Sequence, residues 1–167
     1  MFMQQITQAI RQMIEISDIE LEDFLSRCIE KKFKRYEIVS RPGTIPNEIF
    51  FINSGLIRVV VTDNDGVEHS LHFAMENQFI ADYSAFILKQ ASLYTLRAEE
   101  ETEAVILPRS AIGMGGIIGL DPSSPLDKPW RKQVMNCSSD QLPSPVESGV
   151  RFAAYEVPHG PCHAVRS

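Results

Sequence analysis

At 167 residues, 44% apolar and 23% charged, the chain suits one domain with an appendage, or one domain plus a small second one. Its net charge of −6 argues against a nucleic-acid surface spread over the whole length. No window reaches the roughly 18 uninterrupted apolar residues of a membrane span, and MFMQQITQAIRQ lacks the apolar region and small-residue cleavage site of a signal peptide.

Ile6, Ala9, Ile10, Met13 and Ile14 fall at helical spacing and predict an amphipathic first helix. Ser17, with Glu20 three residues on, forms a capping box that opens a second helix carrying Leu21, Phe24, Leu25 and Cys28. Plain core packing accounts for both apolar stripes. After KKFKR the period changes to two. The runs YEIVS, EIFFI, LIRVVVT, VEHSLHF, QFI, SLYTLRA and EAVIL read as strands, separated by turn signals at Pro42-Gly43, Asn53-Ser54-Gly55 and Asp63-Asn64-Asp65-Gly66. Many short strands at even spacing imply an antiparallel barrel, closed or sandwich-like. One helical piece interrupts them at residues 83–89.

Beyond residue 113 the character shifts. Eight of ten prolines lie at or after Pro108 and six of nine glycines at or after Gly113, so GMGGIIGLDPSSPLDKPW carries neither period. The chain divides into 1–112, helices plus barrel, and 113–167, an irregular tail expected to be more mobile than the barrel.

Few residues suggest catalysis. His69 and His72 resemble a metal pair, but on one regular strand an odd separation sends them to opposite faces. His159 and His163 flank Cys162 without the four ligands of a closed zinc site. The run EEETE, 99–103, reads as a solvated connection. Cys28, Cys137 and Cys162, odd in number and far apart, read as free thiols of a reducing compartment, with the cytoplasm as the default. The more informative stretch is NQFIADYSAFILKQAS, 77–92, in which a strand feeds a helix N-terminus. The unpaired amides of such a junction converge on one spot suited to an anion.

RPGTIPNEIFFINSGLIRVVV, the hairpin at NDGVE and ENQFIADYSAF together resemble the cyclic-nucleotide-binding domain of bacterial Crp/Fnr-type transcription regulators, over roughly residues 15–110. The resemblance implies a mainly β fold: a jelly-roll barrel with N-terminal helices and an embedded phosphate-binding helix. In the family the embedded segment reads Gly-Glu-Leu and is followed by Arg and then Ser or Thr. Gly admits backbone amides to the cyclic phosphate, Glu accepts from the ribose and Arg pairs with the phosphate. Here Ala81, Asp82 and Tyr83 take the first three positions, Ser92 stands where Arg is expected and Leu93 where the hydroxyl is expected. With Ile80 and Ser84 these are the candidate ligand-binding residues. Lys89 lies in a turn and Arg97 is an odd offset from Ser92, so neither replaces the Arg.

The implied function is a non-enzymatic, effector-sensing regulatory module with a degenerate phosphate site that does not take cyclic AMP in the usual way. Its partner is a small effector, a cyclic nucleotide or another molecule, and a homodimer is compatible with the resemblance. No membrane is implied. The family's dimerisation helix and helix-turn-helix have no counterpart after LPRSAI, so this chain alone is expected not to bind DNA. The abrupt change after Ile112 raises the expectation of a shortened or frame-shifted relative of a longer regulator. Two rivals remain: a cupin-like jelly-roll metal-binding protein, and a purely structural dimerisation module.

Overall fold

Helix α1 covers Phe2–Met13 and helix α2 Asp18–Ser26, in a computed structural model that describes residues 2–112. The predicted tail, 113–167, lies outside the described residues. The capping box forms as predicted: the Ser17 hydroxyl accepts from the Glu20 amide, and the Glu20 carboxylate accepts from the Ser17 amide at 3.1 Å. The apolar stripe of α1 buries Ile6 and Ile10, and α2 buries Leu21 and Phe24.

Eight strands follow: β1 Ile29–Phe33, β2 Ile38–Ser40, β3 Glu48–Ser54, β4 Ile57–Thr62, β5 Glu68–Ala74, β6 Phe79–Ile80, β7 Thr95–Ala98 and β8 Thr102–Pro108. Helix α3, Tyr83–Leu88, interrupts them after β6, and α4, Arg109–Ile112, follows β8. Two antiparallel four-stranded sheets result, ordered β1-β8-β3-β6 and β2-β7-β4-β5. The mainly β fold with embedded helix implied by the sequence is the fold observed.

Two apolar layers hold it together. Between the sheets lie Phe33, Phe50, Ile52, Ile80, Ala104 and Ile106 from the first sheet, facing Ile57, Val59, Ala74, Leu96 and Ala98 from the second. On the other side of the first sheet, Ile49, Phe51, Val105 and Leu107 meet the helical residues Ile6, Ile10, Leu21, Phe24, Tyr83, Phe86, Ala111 and Ile112. The first sheet is thus covered on both faces. That explains why EIFFI and AVIL are continuously apolar rather than alternating.

Strand β1 is absent from the period-two runs because IEKKF is exposed except at Phe33. Its place is set by pairing with β8, from Ile29 opposite Ile106 to Phe33 opposite Thr102. At the β3–β4 turn Gly55 has φ +98°. A Cβ there would stand 2.5 Å from Thr102 Oγ1 and 2.8 Å from the Glu101 carbonyl, so only glycine fits.

The odd-separation argument for His69 and His72 needs correction. A β-bulge at Leu71 places His72 opposite Val59 and His69 opposite Val61, two residues apart on β4, so both histidines share one face. His69 Nε2 is 2.7 Å from Asp63 Oδ2 in the hairpin turn, while His72 Nε2 is buried without a hydrogen-bond partner.

Candidate functional site

The site is built where β6 ends. Phe79 and Ile80 pair with Phe51 and Phe50 of β3, which fixes the direction of the chain as it leaves the sheet. Ile80 points into the layer between the sheets, and Ala81, Tyr83 and Phe86 turn to the helical layer. Asp82 between them is the N-cap of α3. Its Oδ1 accepts from the Ala85 amide at 3.0 Å.

The other carboxylate oxygen meets Ser92. The Ser92 hydroxyl donates to Asp82 Oδ2 at 2.8 Å and accepts from the Tyr94 amide at 3.1 Å. Ser92 is 2% exposed and Asp82 8%. The Ser92 backbone is anchored as well: its amide donates to the Thr44 carbonyl at 2.9 Å, and its carbonyl accepts from the Gly43 amide at 2.8 Å. The Pro42-Gly43 turn therefore serves to seat Ser92. Burial first, and the Asp82 charge second, push the Tyr94 phenol above its ordinary pKa. The N-terminus of α3 is thus capped by the chain's own carboxylate, engaged on both oxygens.

Of the predicted ligand-binding residues, Asp82 and Ser92 come together directly, with Ile80, Ala81 and Tyr83 in the adjoining core. Ser84 is exposed on α3, and Leu93 is 56% exposed. Neither cation weighed at the sequence level enters the site. Lys89 is the C-cap of α3, at φ +53°. Arg97 lies on the outward side of β7, where its guanidinium bonds Glu99 at 3.2 Å and both oxygens of Glu68 at 3.1 Å.

Arg109 was not singled out by sequence. From the start of α4 it reaches the carbonyls of Phe86 and Pro46, the latter at 3.0 Å, and its guanidinium stacks 3.8 Å from the Phe86 ring centroid. The loop it touches also walls a cleft of about 410 Å³, lined by Val39, Ser40, Thr44, Pro46, Glu48 and Phe50 among others. Among the described residues no group of three or more His, Cys, Asp or Glu side chains is placed to hold a metal ion, so the geometry does not favour the cupin-like rival. Nor is any described helix long and apolar enough to cross a membrane.

Comparison with known proteins bears on this arrangement. The family model described as Cyclic nucleotide-binding domain matches residues 30–113, half of the chain. No curated protein matches the sequence. Among solved structures, the regulatory subunit of a cAMP-independent protein kinase A from Trypanosoma brucei is similar at TM-score 0.60 and 17% identity, over 71% of this chain and 42% of that one. A mutant of that subunit with three substitutions, one of them arginine for threonine, is bound to cAMP in its A site, and is similar at TM-score 0.59 and 18% identity over 77% and 47%. The sensor domain of the transcriptional regulator DNR from Pseudomonas aeruginosa is similar at TM-score 0.58 and 17% identity, over 72% and 79%. The Thermus thermophilus catabolite activator protein is similar at TM-score 0.52 and 17% identity, over 63% and 46%. This chain spans less than half the length of the kinase subunit and of the catabolite activator. At these identities the likeness establishes the fold.

Proposed function

The chain belongs to the cyclic nucleotide-binding domain family, and on that footing we propose that it is an effector-sensing regulatory module of Crp/Fnr type whose phosphate site is closed to cyclic AMP. The observation that carries the reading is the 2.8 Å hydrogen bond from Ser92 to Asp82, made where the resemblance implies a phosphate-binding arginine.

A cyclic phosphate brought to this spot meets a negative carboxylate. The N-terminus of α3 offers only about half a unit of positive charge, and Asp82 already uses its Ala85 amide. Without a bidentate cation the phosphate is desolvated and unpaired, at a cost of several kcal/mol. The Ala81 methyl stands where the resemblance implies a glycine open to the ligand. The Trypanosoma brucei subunit offers a parallel: it is described as cAMP-independent, and the mutant bound to cAMP carries an added arginine. In this reading the module answers to a different small effector and performs no catalysis. It makes no sequence-specific DNA contact by itself, and a homodimer is compatible with it.

Restoring the clamp tests the reading. A Ser92→Arg, Ala81→Gly variant should be stabilised against heat by cyclic AMP, by about 2.7 kcal/mol when the ligand stands at about 100 times its Kd. The unaltered chain should show no shift. An equal shift in the unaltered chain would overturn the proposal.

A further inference from the structure

We propose that the cleft between β2 and β3 binds a free α-amino acid with an apolar side chain: Arg41 takes its carboxylate, Glu48 takes its ammonium group, and the side chain rests on Val39 and Phe50.

Two opposite charges that line one cleft without pairing carry this. The other arginines of the described residues, Arg11, Arg27, Arg35, Arg58, Arg97 and Arg109, each hydrogen-bond a carboxylate, a hydroxyl or a carbonyl. Among the described residues the Arg41 guanidinium has no such partner, and neither has the Glu48 carboxylate, although both line the cleft. Glu48 stands two residues before Phe50 on β3, so both side chains leave the strand on one side. That side faces the layer between the sheets, where Phe50 is 4% exposed and Val39 packs against the same cluster. The cleft thus joins an apolar floor to a cation, an anion and the Ser40 hydroxyl. Its volume of about 410 Å³ suits a small molecule.

The wall that carries Arg41 is fixed along its length. The Thr44 hydroxyl donates to the Arg41 carbonyl at 2.6 Å. The Gly43 amide and the Thr44 carbonyl bond the Ser92 backbone at 2.8 and 2.9 Å, and the Asn47 carbonyl accepts from the Arg109 amide at 2.7 Å. Little loop ordering is therefore left for binding to oppose. The guanidinium fork matches a carboxylate in two parallel hydrogen bonds. Arg41 and Glu48 are both exposed, so either pair alone is weak. A ligand with one charge satisfies one of them, whereas the zwitterion satisfies both and buries its apolar part besides. Neither Asp82 nor Ser92 lines the cleft, and the proposal stands whether or not the Asp82 site takes cyclic AMP.

Titrating the full chain with L-leucine, and following backbone amide shifts by NMR, tests it. Amides within 38–50 should shift saturably with a Kd of about 1 mM or below, while those of β4 and β5 stay in place. N-acetyl-L-leucine, which lacks the ammonium group, L-leucinamide, which lacks the carboxylate, and glycine, which lacks the apolar side chain, should each bind more weakly by about tenfold or more. Arg41→Gln and Glu48→Gln should each weaken leucine by about tenfold, and Arg35→Gln, outside the cleft, should leave it unchanged. No saturable shift up to about 10 mM leucine, shifts centred outside 38–50, N-acetyl-L-leucine or glycine as tight as leucine, or unchanged affinity in both cleft variants would each overturn the proposal. The analogue series is read on the unaltered chain, so it decides the question even should a variant fail to fold.

Discussion

Replacing Ser92 with alanine removes one oxygen from a site that is 2% exposed. Two partners lose it: Asp82 Oδ2 at 2.8 Å and the Tyr94 amide at 3.1 Å. A hydrogen bond to a charged group contributes about 1.5–3 kcal/mol, and a buried group left without its partner costs about 1–3 kcal/mol. The two figures overlap, since both describe the same lost bonds, so the expected loss is about 2–4 kcal/mol. That is a large share of the roughly 5–15 kcal/mol that holds a domain folded. For a domain of this size it corresponds to a Tm lower by about 10–20 °C. Asp82→Asn should cost less, about 1 kcal/mol, because the amide oxygen keeps the cap to Ala85 and the Ser92 hydroxyl turns to accept from the amide nitrogen. Urea unfolding of the single and double variants measures both losses and their coupling. A Ser92→Ala loss below about 0.5 kcal/mol, the level of an ordinary surface substitution, would refute the claim that Ser92 and Asp82 form a structural pair.

Gly55→Ala should destabilise by more than about 3 kcal/mol, since φ is +98° and the added Cβ would sit 2.5 Å from Thr102 Oγ1; a soluble variant with unchanged Tm would show that the turn relaxes freely. Asn53 is 5% exposed and both of its amide atoms lack partners, so Asn53→Val should raise stability by about 1 kcal/mol in denaturant unfolding, and a loss would contradict the orphaned amide. Burial holds His72 below its ordinary pKa. Its contribution is therefore present above the unfolded value of about 6.5 and is lost as pH falls below it. A titration of Tm between about pH 7 and 5 should flatten in His72→Leu, and an identical slope in both proteins would rule His72 out as the cause.

What the sequence disclosed depended on how local each determinant is. The capping box at Ser17 and Glu20 and the helix at 83–88 were legible because their partners lie within one turn. Strand β1 was not, since only Phe33 of IEKKF is buried and pairing with β8 alone makes it a strand. The histidine faces came out wrongly because one extra residue, Leu71, shifts the phase of β5. At the site, the sequence showed Asp82 at the start of a helix and Ser92 where the resemblance implies an arginine. It did not disclose that Ser92, ten residues on, donates to that carboxylate. Arg109 was hidden for the same reason: its partners at Pro46, Asn47 and Phe86 are 63, 62 and 23 residues away.

The central claim, that the Asp82–Ser92 pair occupies the place of a ligand phosphate, is met most directly by titrating the unaltered full chain with cyclic AMP in a calorimeter. The account predicts no saturable heat at ligand concentrations up to about 1 mM, where binding would yield about 4 kcal/mol. Saturable binding with a Kd below about 1 μM, about 8 kcal/mol, would contradict it.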